Sequence, residues 1–534
     1  MSTPTVTVVG SGASGVHFAL TLLQKGYRVR MLDFGRQGKP PVLPHAALNA
    51  LKRDLDDPTT YFLGPNFESV LMPGSDEEYY GLPPSKEFVF DHPEGFGSQA
   101  AGFAPLFSFA RGGLAEAWTG GCYPLNAAEL EDFPVTYEDM LVHYGEVARR
   151  IGVSGMIDDL SQFMPVHDHL QPGLRLDAHS ERLMGSYQRA RDRLNRRGVF
   201  MGRSRLATLS QPLGGRTPCD YRGRCLWGCP HESLYVPSLT LRECLAHPAF
   251  EYVAGVEVVR LRIGAGGRVV AAVGRVAGEN AEREFPVDRI ALAAGALLST
   301  RIFLTSVLAS TGERIRLTGL MDNRQVLMPF VNVGMIGRQF TDESYQYHQL
   351  GIGLATSQPR DYVHGQITTL KTALVHPLIQ RLPLDLATAT RAFRAVHAAL
   401  GLVNVNFRDT RRSGNFVELT EDTAPRLRLH YEPEPDESAR ITTELRRMKQ
   451  ALFQLGCIVP PGMVHLRPMG ASVHYAGTIP MTRKPGPFTT TEVGQSREFE
   501  NLFLVDGATF PFLPAKNLTF TLMANAVRIA ETAF

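Results

Sequence analysis

The sequence predicts an α/β chain, α+β overall, with a parallel-sheet domain and a second domain built on a mixed or antiparallel sheet with helices. Three observations carry that expectation. An apolar β-branched run, Val6, Val8 and Val9, flows into Gly10-Ser11-Gly12-Ala13-Ser14-Gly15 and then a helix-like stretch over 16–25. A second strand-to-helix junction of small residues, Ala293-Ala294-Gly295-Ala296, recurs far along the chain. Between 311 and 457, strand-like runs outnumber helix-like ones. With 534 residues, 44% hydrophobic and 20% charged, the chain has ordinary globular composition and length for a large core.

The first junction has a physical meaning beyond fold. Gly10 permits the sharp turn, Gly12 lets a pyrophosphate approach the backbone, and Gly15 lets helix and strand pack closely. The diphosphate charge would sit at a helix N-terminus, where free N–H groups and the macrodipole favour an anion. A second strand, expected over 28–32, ends in Asp33, a carboxylate placed for a ribose 2′-hydroxyl. Strand, turn, helix and acid together read as a Rossmann-like dinucleotide site.

The formal net charge of +2 gives no pull toward nucleic acid. Strand one begins near Thr5, which leaves no room for a signal peptide, and the apolar stretch over 290–308 reads as a buried strand and helix, not a membrane span. Both point to a cytoplasmic protein. Six cysteines in a chain this long make no disulfide scaffold.

After Asp33 come a proline-rich loop to about Pro44 and irregular sequence over 45–110. Glycine pairs then bracket a tryptophan in 111–121, suggesting backbone laid against a ligand. Helices are expected over 137–151 and 176–197, the latter with a basic outer face that reads as solvated. His167 and His169 form an HxH pair read as exposed loop histidines. Strands are expected over 256–263, 268–275 and 285–293, with a helix from near Ser299. In the second half, strands are expected over 325–333, 366–370, 402–406, 415–421 and 426–431, with helices over 386–400 and 437–455. A short strand over 502–505 precedes Asp506-Gly507, a proline-punctuated loop over 510–517 and a closing helix over 518–532, capped by Asn517.

Four separated segments resemble the glucose–methanol–choline (GMC) flavoprotein oxidoreductases: the glycine turn with Asp33; 111–121; 290–299; and His474-Tyr475-Ala476-Gly477-Thr478 with 506–517. Within that family the chain looks most like the pyranose oxidase branch and related bacterial sugar and glycoside oxidoreductases. The resemblance implies FAD held by Gly10, Ser11, Gly12, Ala13, Ser14, Gly15, Asp33, Gly113, Leu114, Trp118, Thr119, Gly120, Val256, Ala294, Gly295, Asp506, Gly507, Asn517 and Thr519. Ala117 stands where pyranose oxidases carry the flavin-linked histidine, which implies non-covalent FAD. The family's catalytic pair falls on His474 and Asn517. A neutral imidazole can take a hydroxyl proton near neutral pH while the carbon loses hydride to flavin N5, and an asparagine can hydrogen-bond the developing alkoxide.

The implied activity is FAD-dependent oxidation of an alcohol on a sugar, glycoside or similar polyol, with oxygen or an external electron acceptor. A steroid or other hydrophobic-alcohol oxidase and a flavin-containing lyase are the alternatives. The implied FAD domain comprises 1–154, 216–310 and 458–534, and the substrate domain 155–215 and 311–457. Glu116, Tyr345, His348 and Gln349 are candidates for the substrate side. Cys219, Cys225 and Cys229 resemble the three-cysteine segment of bacterial FAD-dependent glucose dehydrogenases, which holds a 3Fe–4S cluster, and a structural cysteine-rich turn is the competing reading.

Overall fold

The protein is described here from a computed structural model, which covers residues 4–38, 46–70, 78, 80–279, 281–341, 343–371, 375–380 and 382–534. The expected proline-rich loop before Pro44 lies largely outside the described residues. Strand β1 (Thr5–Val9) is buried from Val6 onward, as a strand covered on both faces must be. Helix α1 (Ala13–Gln24) starts three residues before the expected 16, so the last three residues of the glycine turn, Ala13-Ser14-Gly15, are already helical. Strand β2 (Arg28–Leu32) pairs parallel to β1, Val9 opposite Leu32.

Helix α2 (Tyr137–Ile151) has the expected bounds, fixed by a Thr136–Asp139 capping box at its start. Helix α3 (Ala178–Asn195) is capped by Asp177 and leads into strand β3 (Val199–Arg203). Strand β4 (Phe250–Val253) extends the parallel sheet beside β2. Strands β5 (Val256–Ile263), β6 (Val269–Val276) and β7 (Glu282–Pro286) form a separate antiparallel sheet. Strand β8 (Arg289–Leu292) runs parallel to β1 instead. The single strand expected over 285–293 is therefore two strands in two sheets. Between them the Asn501 amide donates to the Asp288 carbonyl at 2.8 Å and holds the turn. Helix α4 (Ala296–Thr311) follows β8.

The second sheet is antiparallel throughout. It comprises β9 (Arg324–Asn332), β10 (Leu350–Leu354), β11 (Val363–Thr369) and β12 (Leu400–Phe407), ordered β9-β12-β11-β10-β3. Strands β3 and β10 were not expected; β10 is short and glycine-rich, so its hydrophobic pattern is weak. Helix α5 (Leu386–Val396) ends before the expected 400. One face of the sheet, with Val326, Met328, Val403, Val405 and Ile352, packs on α3 and on helix α6 (Glu437–Gln454). The other face is polar and turns toward the site below.

Strand β13 (Leu502–Leu504) completes the parallel sheet in the order β13-β8-β1-β2-β4, and helix α7 (Thr519–Ala533) closes the chain. A four-stranded sheet joins Ser98–Ala101, Leu427–His430, Phe416–Leu419 and Arg316–Thr318. Its Val417, Leu419, Leu427 and Leu429 share a core with Ile302 and Phe303 of α4. Residues 98–101 thus pair with 427–430 across the domain boundaries drawn from sequence, and His465–Leu466 joins β9. Among the described residues no helix is long and apolar enough to cross a membrane.

Candidate active site

The glycine turn, the start of α4 and the start of α7 wall one cleft, which encloses about 1240 Å³ of space between atoms, part of it open to solvent. Gly10, Ser11, Gly12, Ala13, Ser14 and Asp33 form one end; Val256, Ala294 and Gly295 line it from β5 and α4. Gly113 and Leu114 cover it, and Asp506, Gly507 and Thr519 close the far side with Val473 and Tyr475. Gly15 lies beneath the turn, where a Cβ would stand 2.1 Å from the Gly10 carbonyl oxygen. At Gly12, by contrast, a Cβ would meet only the Ala293 carbonyl oxygen at 3.9 Å, so the space above it is free. Helix α1 has no side-chain cap and no acid in its first turn, so its positive end faces the cleft unneutralised. These features fit a dinucleotide diphosphate.

Asp33 is buried. Its Oδ2 accepts from the Tyr252 hydroxyl at 2.8 Å and from the Ser11 hydroxyl, and Ser11 Oγ in turn accepts from the Gly112 N–H at 2.9 Å. That chain ties the 111–121 loop to the glycine turn. Burial pushes the Asp33 carboxyl up to about 6 despite these donors. Asp506 is likewise pushed by burial to about 6. It accepts from the Gly295 N–H at 3.0 Å, the Ser299 hydroxyl at 2.6 Å and the Ala508 N–H at 3.0 Å, pinning the start of α4 to the end of β13.

His474 sits between the cleft-lining Val473 and Tyr475. Val473 has φ +65°, a left-handed conformation costly for a β-branched residue, and it aims the next side chain. His474 Nδ1 lies 3.1 Å from Asn323 Oδ1. The Asn323 amide nitrogen is already committed, donating to the Phe407 carbonyl at 3.0 Å and the Pro514 carbonyl at 2.7 Å. Its oxygen can only accept, so in the neutral ring Nδ1 carries the proton. Nε2 keeps its lone pair, and Asn517 Nδ2 donates to it at 3.2 Å. Asn517 Oδ1 accepts from Gln366 Nε2 on β11. Burial, with the Arg467 charge adding to it, lowers the imidazole to about 4, so the ring is neutral near pH 7.

The turn that carries His474 is held by Asp322. Its carboxylate accepts from the Gly470 N–H at 2.6 Å, the His474 N–H at 3.3 Å and the Ser472 hydroxyl. Burial pushes that carboxyl up to about 7. The Asn517 side is anchored by Lys516, fully buried against Glu129 at 2.5 Å and donating also to the Pro124 carbonyl at 3.0 Å. A buried pair of this kind fixes a loop more surely than it adds stability.

Several expectations change. Asn517 does not cap α7: the cap position is Leu518, without a side-chain cap, because both ends of the Asn517 amide are spent on His474 and Gln366. Trp118, Thr119 and Gly120 lie beyond the cleft lining. Trp118 Nε1 donates to the Tyr235 carbonyl at 2.7 Å, and the Thr119 carbonyl accepts from the Tyr345 hydroxyl at 2.9 Å. A Cβ at Gly121 would stand 3.4 Å from the Asn517 side chain, so this loop does reach the dyad. Glu116 accepts from the Ser238 N–H at 2.9 Å, and Gln349 holds Asp177 and the Tyr345 carbonyl; both are spent on scaffold contacts. His348 lies in the buried layer beneath the site, its ring 6.4 Å from that of Tyr123. His167 is buried, not exposed.

The iron–sulfur expectation for Cys219, Cys225 and Cys229 is not met. Among the described residues no group of three or more His, Cys, Asp or Glu side chains converges as a metal site. Cys219 and Cys225 pack instead against Leu174, Leu206 and Tyr345, as small hydrophobes do, and burial pushes the Cys219 thiol up to about 12.

Sequence reasoning missed Asp322, Asn323, Gln366 and Tyr252. None belongs to a local motif; each is a lone polar residue beside or within a strand, and only the packing of distant segments gives it a partner.

Residues 411–526, which include both His474 and Asn517, match the family described as GMC oxidoreductase in its C-terminal part. The chain is 22% identical over 565 residues to 2-methyl-1,2-propanediol dehydrogenase of Mycolicibacterium austroafricanum, covering 98% of this chain and 94% of the relative. It is 24% identical over 571 residues to 6'''-hydroxyparomomycin C oxidase of Streptomyces lividus, covering 98% and 90%. Among solved structures, pyridoxine 4-oxidase from Mesorbium loti superposes with TM-score 0.58 at 14% identity, covering 99% of this chain and 98% of that one. An FAD-dependent oxidoreductase from Chaetomium thermophilum in complex with a butanamide fragment gives TM-score 0.59 at 13% identity, covering 99% and 98%. At those identities the solved structures share the fold. Residues 411–526 are thus similar to the C-terminal domain of the GMC oxidoreductases, and the two relatives that span the whole chain are named as a dehydrogenase and an oxidase.

Proposed function

We propose that the protein oxidises a C–OH group of a sugar, glycoside or similar polyol to a carbonyl, with His474 as the base. The observation that carries this is the neutral, tautomer-fixed imidazole: its Nε2 lone pair is presented beside Asn517 Nδ2 at 3.2 Å. An alcohol entering there gives its hydroxyl proton to Nε2, and Asn517 steadies the oxygen as negative charge develops. FAD, when bound, supplies the acceptor for the hydride that leaves the same carbon, and oxygen or an external acceptor takes the two electrons onward. The residues that would hold it are those of the cleft, from the Gly10–Gly15 turn and Asp33 to Gly295, Asp506 and Thr519, with Gly113 and Leu114 on the covering loop. Ala117 offers no side chain for a covalent link.

Two relatives support the substrate class, since their names specify a propanediol and a hydroxylated paromomycin. The side-chain amides of Asn323, Gln366 and Asn517 around the imidazole also favour a hydroxylated substrate over a steroid. The two large sheets support a division into an FAD domain and a substrate domain, which Ser98–Ala101 and His465–Leu466 cross by pairing with strands on the other side.

The test is anaerobic. Purified holoenzyme mixed with a panel of sugars, glycosides and polyols should lose its oxidised flavin absorbance with at least one of them. Turnover with a flavin that stays oxidised would make the enzyme a lyase, and bleaching only by apolar alcohols would move it to the hydrophobic-alcohol class.

A further inference from the structure

The dyad faces the polar side of the antiparallel sheet, and that side is layered. In the innermost row Gln325, Asn406 and His364 stand opposite one another on β9, β12 and β11. In the next, Leu327, Asn404 and Gln366 do; in the outer row, Pro329, Leu402 and Thr368. Most of the inner row is closed on itself. Gln325 donates to Asn406 Oδ1 at 2.9 Å and accepts from Arg467 at 2.7 Å, while Asn406 Nδ2 donates to the Asn404 carbonyl at 3.1 Å.

The middle row is not closed. Gln366 gives its amide nitrogen to Asn517. Beside it, Asn404 Oδ1 is buried with no hydrogen-bond partner among the described residues. His364 is fully buried, its Nδ1 paired with the Tyr362 hydroxyl at 2.7 Å, and its Nε2 also lacks a partner among them. Such orphans cost free energy unless a ligand or water meets them. Asn404 as a residue is half-buried, whereas Val403 and Val405 on either side of it are 0% exposed. Leu327, Pro329, Leu402 and Thr368 are half-exposed as well, so the trough opens outward over mostly carbon surface.

We infer that this trough is a hydroxyl-reading subsite, in which Asn404 binds a hydroxyl on the carbon next to the one oxidised. The inference rests on the alcohol-oxidation reading above. An amide oxygen accepts and its nitrogen donates, matching a hydroxyl, which does both. Gln366 stands opposite Asn404 and hydrogen-bonds Asn517, which sets the row beside the dyad. Leu327, Pro329 and Leu402 take the carbon face of the same molecule. The chemical class is a vicinal diol carried on an apolar skeleton or ring.

The experiment uses the holoenzyme, its Asn404→Leu variant and its Asn404→Ser variant. Flavin reduction is followed anaerobically with propane-1,2-diol, methyl glucoside and propan-1-ol. In Asn404→Leu the ratio of kcat/KM for the diol or glycoside to that for propan-1-ol should fall about 10- to 100-fold, and Asn404→Ser should restore part of it. Calorimetric titration of methyl glucoside into His474→Ala holoenzyme should show a Kd raised about tenfold or more when Asn404→Leu is added. An unchanged ratio, or equal losses for diol and mono-alcohol, overturns the subsite and leaves Asn404 a strand residue met by water. A wild-type enzyme that prefers propan-1-ol overturns this inference alone. One that reduces its flavin with no alcohol overturns the functional reading beneath it.

Discussion

Around the glycine turn, the working atoms are backbone N–H groups and the space left by missing side chains. Around His474 they are an imidazole, three side-chain amides and a carboxylate, drawn from segments near 322, 366, 474 and 517. The cradle is therefore broken by adding volume and the dyad by removing a hydrogen bond. The two should also fail differently: the cradle by losing flavin, the dyad by keeping flavin that reacts slowly.

The sharpest separation comes from His474→Ala. It removes the proposed base and leaves the cleft intact, so anaerobic flavin reduction should slow about 10²- to 10⁴-fold while flavin content per protein holds. Unchanged reduction kinetics would remove His474 from its role. Gly15→Val tests the other region. A Cβ there would lie 2.1 Å from the Gly10 carbonyl oxygen, so the turn must move, and flavin per purified chain should fall roughly tenfold or more. Full flavin content in that variant would mean the turn does not hold the cofactor.

Asn323 sharpens the dyad side. Asn323→Ala lets the imidazole choose its tautomer and should cost about tenfold in the rate of flavin reduction. Asn323→Asp should recover most of the loss, because a carboxylate still accepts from Nδ1–H. The carboxylate should also raise the imidazole pKa. In the wild type, protonation consumes the base and the pKa is about 4, so the rate should fall as pH drops through that value and be level above it. Asn323→Asp should move that break upward; a break that stays fixed would mean that another group sets it.

The smallest effect concerns stability. Asp322 has its folded pKa raised from 3.8 to about 7. A raised carboxyl binds more protons folded than unfolded, so its stabilising contribution is complete below the unfolded value and is lost as pH rises through 7. Asp322→Asn should flatten that part of the Tm–pH curve, shifting Tm by no more than about 2 °C per kcal/mol in a chain of this size. An identical slope in the variant would place the proton elsewhere.

How much could be read beforehand differs between the two regions for the same reason they differ physically. The Gly10–Gly15 turn is local: strand, glycines, helix and Asp33 are contiguous, and their geometry follows from steric limits a few residues wide. His474 and Asn517 came from resemblance to a family, and Asn517 was also misread as a helix cap, because a cap is the local use of an asparagine before a helix. Gln366 is what claims it, and 151 residues separate them. The strand expected over 285–293 failed in the same way. Apolar residues flank Pro286 and Asp288-Arg289 there, and the turn between the two strands is held by Asn501, two hundred residues on.

The chain by itself determined its first strand, glycine turn and helix, the bounds of helix α2, and that a diphosphate could sit on the first helix. Those are consequences of backbone sterics, periodicity and the helix dipole, which act over one or two turns of chain. Only the folded molecule decided the imidazole's tautomer, the split of one strand-like run between two sheets, and the packing of Cys219 and Cys225 among apolar side chains. Each of these depends on hydrogen bonds and contacts between residues far apart in sequence, whose partners exist only once the sheets are assembled.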